Sequence, residues 1–229
     1  MTHLTRCFLT PAPNRLTSSP QRLHAAVAAA FPATDTTTSP GHRVLWRLDE
    51  THHPHRHTLL IVSPSPPDLT HVIEQAGHPD TPGWDTRPYT PLLNALRPGA
   101  LMRFRLTANP TKATFRRGRR GIRTAAATPA EQIQWLLQRA PGAGFTPSPN
   151  HQPALTVTRH QILDFPRGPA GQPKKNVHLH AVTYEGHLQV TDPDALRHTL
   201  THGLGRAKGY GCGLLTLAPD RTAPHPPQI

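Results

Sequence analysis

Residues 203–215 combine glycine, cationic and aromatic side chains in a pattern typical of a loop that holds a phosphate-bearing ligand. Five glycines fall within eleven residues, between a predicted helix and a predicted strand. Glycine lets the backbone approach a ligand closely, and successive backbone N–H groups can form a nest for an anion. The members of this glycine loop that we expect to bind are Gly203, Gly205, Arg206, Lys208, Gly209, Tyr210, Gly211 and Gly213.

The spacing within the glycine loop excludes two familiar phosphate motifs. No Ser or Thr follows Lys208, so the segment is not a Walker loop. It leads into a strand and not into a helix, so it is not the dinucleotide fingerprint either. A flexible turn is the alternative interpretation.

His24 is the residue best placed by the sequence to accept a proton. Ser19 can cap a helix that Pro20 opens, and His24 lies beside the apolar stripe of that helix, within about its first turn. The positive end of the helix dipole there favours a neutral imidazole. Gln21 comes three residues earlier and faces the same side. The alternative is an ordinary border histidine in a chain with 17 of them.

A run of arginines is the second candidate binding element. It has five cations in eight residues and no balancing carboxylate, which favours contact with phosphate over a merely solvated face. Two lysines before a later strand form another candidate, and three further arginines can extend the basic surface. In order, these residues are Arg116, Arg117, Arg119, Arg120 and Arg123; Lys174 and Lys175; and Arg22, Arg103 and Arg105.

The histidines and cysteines do not indicate a metal site. His52, His53, His55 and His57 lie in a polar loop interrupted by proline, with no cysteine nearby. Cys7 and Cys212 are far apart and form neither a disulfide framework nor a CxxC pair, so we expect two small buried or semi-exposed side chains. We predict neither a metal nor a cofactor.

Composition indicates a nucleic-acid partner. The 229 residues carry a formal charge of +12, with a sequence pI of about 11.1. A membrane surface is the rival anion, but the chain shows neither a basic amphipathic helix nor a lipidation signal. We find no signal peptide and no window of roughly 20 apolar residues. The sequence therefore predicts a cytoplasmic protein that does not bind membranes.

The predicted elements repeat one order in each half of the chain. The first half has strands at 2–9, 43–49 and 58–63 and helices at 20–31 and 68–76, while 77–98 is broken by prolines. The second half has strands at 101–106, 155–161, 177–184, 188–190 and 214–217 and helices at 129–140 and 193–202. We expect a loop at 115–123, a turn at Glu185–Gly186, and a buried helix stripe of Ile133, Leu136 and Leu137.

Strand, helix, strand, strand, helix, strand is the order of a ferredoxin-like domain, which RNA-binding modules of the RRM type share. We therefore predict an α+β fold of two tandem ferredoxin-like (RRM-like, βαββαβ) domains at 1–95 and 99–218. A disordered proline-rich tail is expected at 219–229.

Four segments resemble one known family. Residues 203–215, GLGRAKGYGCGLL, resemble the G-(IVL)-G-(RK)-x-K-x-(FY)-G-x-G-L-L signature of the CasE family, the repeat-cleaving endoribonucleases of the type I-E CRISPR Cascade complex. Residues 104–111 (FRLTANPT) are similar to its FRLRANPT segment. The EQIQWL of 131–136 with Gly144-Phe145, and the VTDP of 190–193, also match in order.

The resemblance implies a reaction. The family cuts its repeat RNA without metal at the 3′ base of a stem-loop. The 2′-hydroxyl attacks the adjacent phosphate and leaves a 2′,3′-cyclic phosphate and a 5′-hydroxyl. It also implies that the protein stays bound to its product and joins other Cascade subunits.

The family's catalytic histidine lies in a P-Y-x-x-H pattern, which here is Pro20-Gln21-Arg22-Leu23-His24, so His24 takes that role. Gln21 replaces the tyrosine and cannot act as acid or base near neutral pH. The second proton-transfer partner is therefore open, with Lys208 or another histidine as candidates. Gln21 can still hydrogen-bond a phosphate oxygen or orient the attacking hydroxyl.

Three other functions remain open from the sequence. One is a weak or non-cleaving RNA-binding subunit of the same superfamily, which the replacement at Gln21 allows. The second is a nucleotide enzyme that uses the glycine loop, although the sequence lacks the Walker serine or acidic metal ligand it would need. The third is a metal nuclease built on the histidine loop.

Overall fold

The computed structural model describes residues 1–12, 16–32, 43–50, 55–116, 119–147, 155–167 and 175–219, without the side chains of 114–122 and 175. The first half follows the predicted order of strands and helices. Its elements are β1 (His3–Leu9), α1 (Pro20–Ala29), β2 (Leu45–Glu50), β3 (His57–Ser63), α2 (Thr70–Ala76) and β4 (Trp84–Pro88). The strands form an antiparallel sheet in the order β2-β3-β1-β4, which is the ferredoxin-like arrangement.

Helix α1 forms where local signals predict it. The hydroxyl of Ser19 accepts a hydrogen bond from the backbone N–H of Arg22 at 3.4 Å, and Pro20 occupies the first turn. Leu23, Ala26 and Val27 are buried in the core of the first sheet. Burial of each large aliphatic side chain stabilises the fold by about 1.5–3 kcal/mol, so α1 is held firmly against the sheet.

The second half starts after a short helix, α3 (Thr90–Ala95). Its elements are β5 (Leu101–Ala108), β6 (Thr111–Arg116), β7 (Arg119–Ala125), α4 (Pro129–Arg139), β8 (Phe145–Pro147), β9 (Thr156–Arg167), β10 (Lys175–Val190), α5 (Pro193–His202) and β11 (Leu215–Pro219). The sheet order is β11-β5-β10-β8, and β9 pairs with the other end of β10. The chain is therefore α+β with two tandem ferredoxin-like domains.

Three predictions of local structure are wrong. The arginine-rich segment is not a loop, since β6 and β7 pair as a hairpin. No turn occurs at Glu185–Gly186, because β10 runs through both residues and Gly186 lies opposite Phe104 of β5. This glycine sits within a buried strand and not at a chain reversal. The proline-broken 77–98 contains β4 and α3, and β4 forms through its pairing with β1.

Two smaller differences concern an element's buried face and its end. Helix α4 buries Gln132, Trp135 and Leu136, whereas Leu137 is 42% exposed. Gln132 can be buried because its amide donates to the carbonyl of Ala126 at 3.1 Å. Pro219, expected in the tail, is the last residue of β11, and the rest of the tail, 220–229, lies outside the described residues.

A buried arginine joins the two domains. Arg47 of β2 is 1% exposed. Its guanidinium donates to the carboxylate of Asp49 at 2.7 and 2.8 Å. It also donates to the carbonyl oxygens of Arg105 at 2.9 Å and Leu214 at 2.8 Å, and to the Thr216 hydroxyl at 2.9 Å. These bonds fix β2 of the first domain to β5 and β11 of the second.

Candidate active site

The fold brings the glycine loop against the predicted catalytic histidine. A Cβ atom on Gly209 would lie only 3.4 Å from Cε1 of His24. The ring of Tyr210 meets the imidazole nearly edge-on, with centroids 5.9 Å apart and planes at 65°. The backbone of Gly209 therefore lies next to the imidazole. Two segments singled out separately in the sequence form one site between the domains.

Other glycines of the loop pack against protein. Gly211 has φ +78°, and a Cβ there would lie 2.7 Å from Cζ3 of Trp46 in β2. A Cβ on Gly205 would lie 3.0 Å from the ring of Trp135 in α4. The loop thus spans from α4 of the second domain to β2 of the first, and its glycines permit close packing as well as ligand approach.

A small buried hydrophobic cluster packs the glycine loop against the β9–β10 hairpin. The inner face of the β9–β10 hairpin contributes Phe165, Leu179 and Ala181, and the loop contributes Cys212. The Phe165 and Tyr210 rings pack edge-to-face with centroids 4.9 Å apart. Burial raises the pKa of the Cys212 thiol to about 12. Cys7 is buried too, so both cysteines are structural side chains, as predicted.

The surroundings of His24 favour its neutral form. Its pKa is lowered from 6.5 by burial and, secondarily, by the positive charge of Arg167. Arg167 is the exposed last residue of β9. The sequence analysis missed this residue because it is a single arginine outside any cluster. Its one available signal was its position two residues after Phe165, which puts it on the same strand face.

Gln21 and Lys208 differ in their relation to His24. Gln21 lies one turn before His24, and its buried Oε1 has no hydrogen-bond partner among the described residues. The pKa of Lys208 is lowered by burial and by Arg43, and Lys208 in turn helps lower the pKa of His202. The positive charge that lowers the pKa of His24 is that of Arg167, so Arg167 is placed to offset the charge of a phosphate at His24, but its guanidinium cannot replace the tyrosine in proton transfer.

Arg123 and Arg206 lie at a basic surface next to the glycine loop, and both are exposed. Arg139, at the end of α4, stacks over Trp135 at 4.5 Å. Burial, and then the nearby charge of Arg123, lowers the pKa of Arg139. The backbone of Arg206 pairs with that of Asn109 in an isolated antiparallel β-bridge, immediately before the β6–β7 hairpin. We call Arg123, Arg139 and Arg206 the basic surface; Arg139 was not singled out from the sequence.

The structure places the remaining predicted cations as follows. Arg105 donates to Glu185 at 2.8 and 2.5 Å and lies 3.5 Å from Asp49, so it takes part in a charge network between the domains. Its role in RNA binding stays a prediction. Arg22 and Arg103 are exposed. The backbones of Arg116, Arg119 and Arg120 lie on the β6–β7 hairpin and that of Lys175 begins β10, whereas Arg117 and Lys174 lie outside the described residues.

Of the histidine loop, His52 and His53 lie outside the described residues. Within the described ranges, no three His, Cys, Asp or Glu side chains converge as metal ligands. None of the helices in the described part of the chain is long and apolar enough to cross a bilayer.

Comparison with known proteins assigns the family. A family model described as CRISPR associated protein matches residues 2–219. The chain is 32% identical over 221 residues to the CRISPR-associated endoribonuclease Cse3 of Thermus thermophilus, covering 94% of this chain and 99% of Cse3. The chain belongs to the CasE/Cse3 family. This confirms the resemblance to CasE found in the sequence.

Two further comparisons support membership of the CasE/Cse3 family. The Cascade subunit CasE of Escherichia coli is 33% identical over 132 residues, which is 54% of this chain and 61% of CasE. A solved structure of Cse3 bound to a 19-nucleotide RNA superimposes with a TM-score of 0.73 at 30% identity, covering 95% of this chain and 99% of Cse3. The two-domain fold of the family therefore extends over nearly the whole chain.

Proposed function

We propose that this protein is a metal-independent endoribonuclease that binds the stem-loop of a CRISPR repeat RNA and cleaves the precursor at the 3′ base of the hairpin. The observation that carries the proposal is the imidazole of His24, held against Gly209 with its pKa lowered, in a chain similar to the endoribonuclease Cse3 throughout its length. We further propose that it stays bound to its product, joins other Cascade subunits and acts in the cytoplasm.

In this proposal His24 is the general base. Its neutral imidazole accepts the proton of the 2′-hydroxyl as the 2′-oxygen attacks the adjacent phosphorus. The bond to the 5′-oxygen breaks, so the products are a 2′,3′-cyclic phosphate and a 5′-hydroxyl. Arg167 compensates the charge on the phosphate, and the amide of Gln21 orients the 2′-hydroxyl or a phosphate oxygen. The leaving oxygen takes its proton from a donor other than Gln21, which has none to titrate.

The basic surface and the β6–β7 hairpin hold the stem. An A-form stem is recognised mainly through its backbone and shape, and arginine suits both phosphate oxygens and base edges. The glycine loop joins this surface to His24, because Gly205 packs near Trp135, over which Arg139 stacks, and Gly209 and Tyr210 lie next to His24. A stem bound along the basic surface would therefore place its lower end, where the proposed cut falls, beside the imidazole of His24.

The pH dependence of cleavage tests the general base. Because burial and the charge of Arg167 lower the pKa of His24 from 6.5, more than half of the imidazole is neutral at pH 6.5, and protonation becomes dominant only at lower pH. We expect the single-turnover rate to fall to half its maximum below pH 6.5. Arg167→Ala should move that midpoint upward, since the nearby positive charge is removed. A midpoint well above pH 6.5 in the unaltered protein would contradict the assignment.

The salt dependence of binding tests the basic surface. The double substitution Arg123→Ala and Arg206→Ala should weaken RNA affinity and reduce the slope of log affinity against log salt by about one unit for each arginine–phosphate interaction that is removed. Arg87→Ala is the matched control, because this exposed arginine lies on the edge strand β4 and pairs with Asp85 at 2.9 Å. If the double variant and the control keep the same slope as the unaltered protein, the stem binds elsewhere.

The overall proposal is tested by incubating the protein with its host's repeat RNA in EDTA and mapping the ends of the fragments. One cut at the 3′ base of the hairpin, with a cyclic phosphate and a 5′-hydroxyl, is the expected result. Cleavage abolished by EDTA would replace the proposal with a metal nuclease.

The glutamine at position 21 favours one second candidate, a weak or inactive RNA-binding subunit. In that case the same incubation would leave RNA tightly bound but uncut. The substitution Gln21→Tyr, which restores the residue of the family pattern, would then restore cleavage. If the protein is an active endoribonuclease, the unaltered protein already cuts the RNA, and Gln21→Tyr should alter only the rate of that cleavage.

A further inference from the structure

A cavity of about 490 Å³ opens beside the candidate active site, between the two domains. Tyr210 and Leu23 line it, and these residues also flank His24, so the cavity is one aromatic ring away from the imidazole. The other walls come from residues before α1, the first residue of α1, β2, β3, β5 and the β9–β10 hairpin. The wall residues used below are Trp46, Leu48, Glu50 and His57.

Two ring nitrogens in the cavity walls are buried without a partner. Trp46 is 4% exposed, and its Nε1 has no hydrogen-bond partner within the described part of the chain. The same holds for Nδ1 of His57. Buried polar groups in proteins are ordinarily hydrogen-bonded, and the indole N–H can only donate. Both nitrogens are shielded from solvent and lie behind the cavity surface, so a ligand in the cavity reaches them only if the Trp46 or His57 side chain turns.

The charges of the cavity disfavour a phosphate. The carboxylate of Glu50, in the cavity wall, forms an ion pair with Arg159. The charge of Arg159 is therefore already neutralised and does not attract a phosphate. Burial lowers the pKa of His57, more strongly than Glu50 raises it, so the imidazole is neutral near pH 7. An uncharged, flat and aromatic ligand fits these walls, which include the rings of Trp46 and Tyr210, better than an anion does.

We propose that this cavity binds an unpaired nucleobase of the RNA substrate, that of a nucleotide joined by the scissile phosphate. The inference rests on the proposed function. Proteins recognise single-stranded RNA by splaying bases onto aromatic side chains and hydrogen-bonding their edges, and Trp46 and Tyr210 provide such walls. Drawing one base out of the strand also breaks the helical geometry at the cut, which allows in-line attack by the 2′-hydroxyl.

The test compares repeat RNAs that lack one base. Abasic substitutions are placed in turn on each side of the scissile phosphate, and single-turnover cleavage is measured in EDTA at saturating protein. We expect one of the two to be cut about ten-fold more slowly or worse, because a stacked base is removed. Equal rates for the intact RNA and both abasic RNAs would overturn the pocket. Failure to cut even the intact RNA would instead overturn the proposed function.

A cavity-filling variant separates the pocket from general effects on the RNA. Leu48→Trp should slow cleavage of the intact RNA and leave the abasic substitution without further effect, since the base can no longer enter. Leu137→Trp, on the partly exposed face of α4 and outside the cavity, is the matched control and should keep the full difference. An undiminished abasic effect in folded Leu48→Trp would contradict the proposal. The measurements on the unaltered protein decide it even if that variant does not fold.

Discussion

Replacing His24 with alanine is expected to slow single-turnover cleavage of the repeat RNA by about 10²- to 10⁴-fold. The imidazole is the general base of the proposed reaction, and alanine cannot accept the 2′-hydroxyl proton. Affinity for the RNA should change little, because the stem contacts lie on the basic surface and the hairpin. The measurement is a rate at saturating protein together with a binding isotherm for each variant.

The specificity of the His24→Ala effect can be checked within the same protein. The side chain of His24 is only partly buried and lies outside the cores of both sheets, so the variant should fold normally. His178→Ala is the matched control, since this exposed histidine lies on β10 in a weak pair with Asp164. A His24→Ala variant that cuts as fast as the control would remove His24 from the reaction.

Arg47→Ala should lower the free energy of unfolding by about 3–5 kcal/mol, the cost of removing one partner from a buried ion pair. The substitution removes the hydrogen bonds that Arg47 donates to Asp49, to the carbonyl oxygens of Arg105 and Leu214, and to the Thr216 hydroxyl. Asp49 keeps Arg105 at 3.5 Å, and the Arg105 carbonyl keeps the Thr216 hydroxyl, whereas the bond to the Leu214 carbonyl is lost. Equilibrium denaturation with urea provides the measurement.

The control for Arg47 is an exposed ion pair in the same sheet. Arg6 lies 3.9 Å from Asp85, and both side chains are largely exposed. Arg6→Ala should therefore cost about 0–1 kcal/mol. If both variants unfold at the same urea concentration, the network around Arg47 does not stabilise the contact between the domains. A loss of cleavage at full RNA affinity in folded Arg47→Lys would show that this contact also positions the glycine loop.

Elements with strong local signals were predicted well. Helix α1 begins where Ser19 and Pro20 indicate, and α5 begins at Pro193 after the capping carboxylate of Asp192. Strand β10 was divided in two because Gly186 looks like a turn residue, whereas its pairing with β5 comes from residues far away in sequence. Local patterns specify helix ends, and distant pairing decides where strands continue.

The candidate site was predicted in part for the same reason. His24 and the glycine loop were found separately, but their contact through Gly209 depends on the arrangement of the two domains. The ion pairs of Arg105 with Asp49 and Glu185 could not be predicted, because these residues lie on strands that only the fold brings together. The division into domains at 1–95 and 99–218 stays a prediction, since Leu45 and Val62 share one buried core with the second half.

The most direct test of the central claim is the cleavage of a repeat RNA with a single 2′-deoxy nucleotide on the 5′ side of the cut. His24 has a proton to remove only if the 2′-hydroxyl is the nucleophile. We predict that this RNA is bound as tightly as the natural repeat and is not cut at that position. Cleavage there at the natural rate, with the unaltered protein in EDTA, would show that another nucleophile attacks the phosphate and would contradict the account.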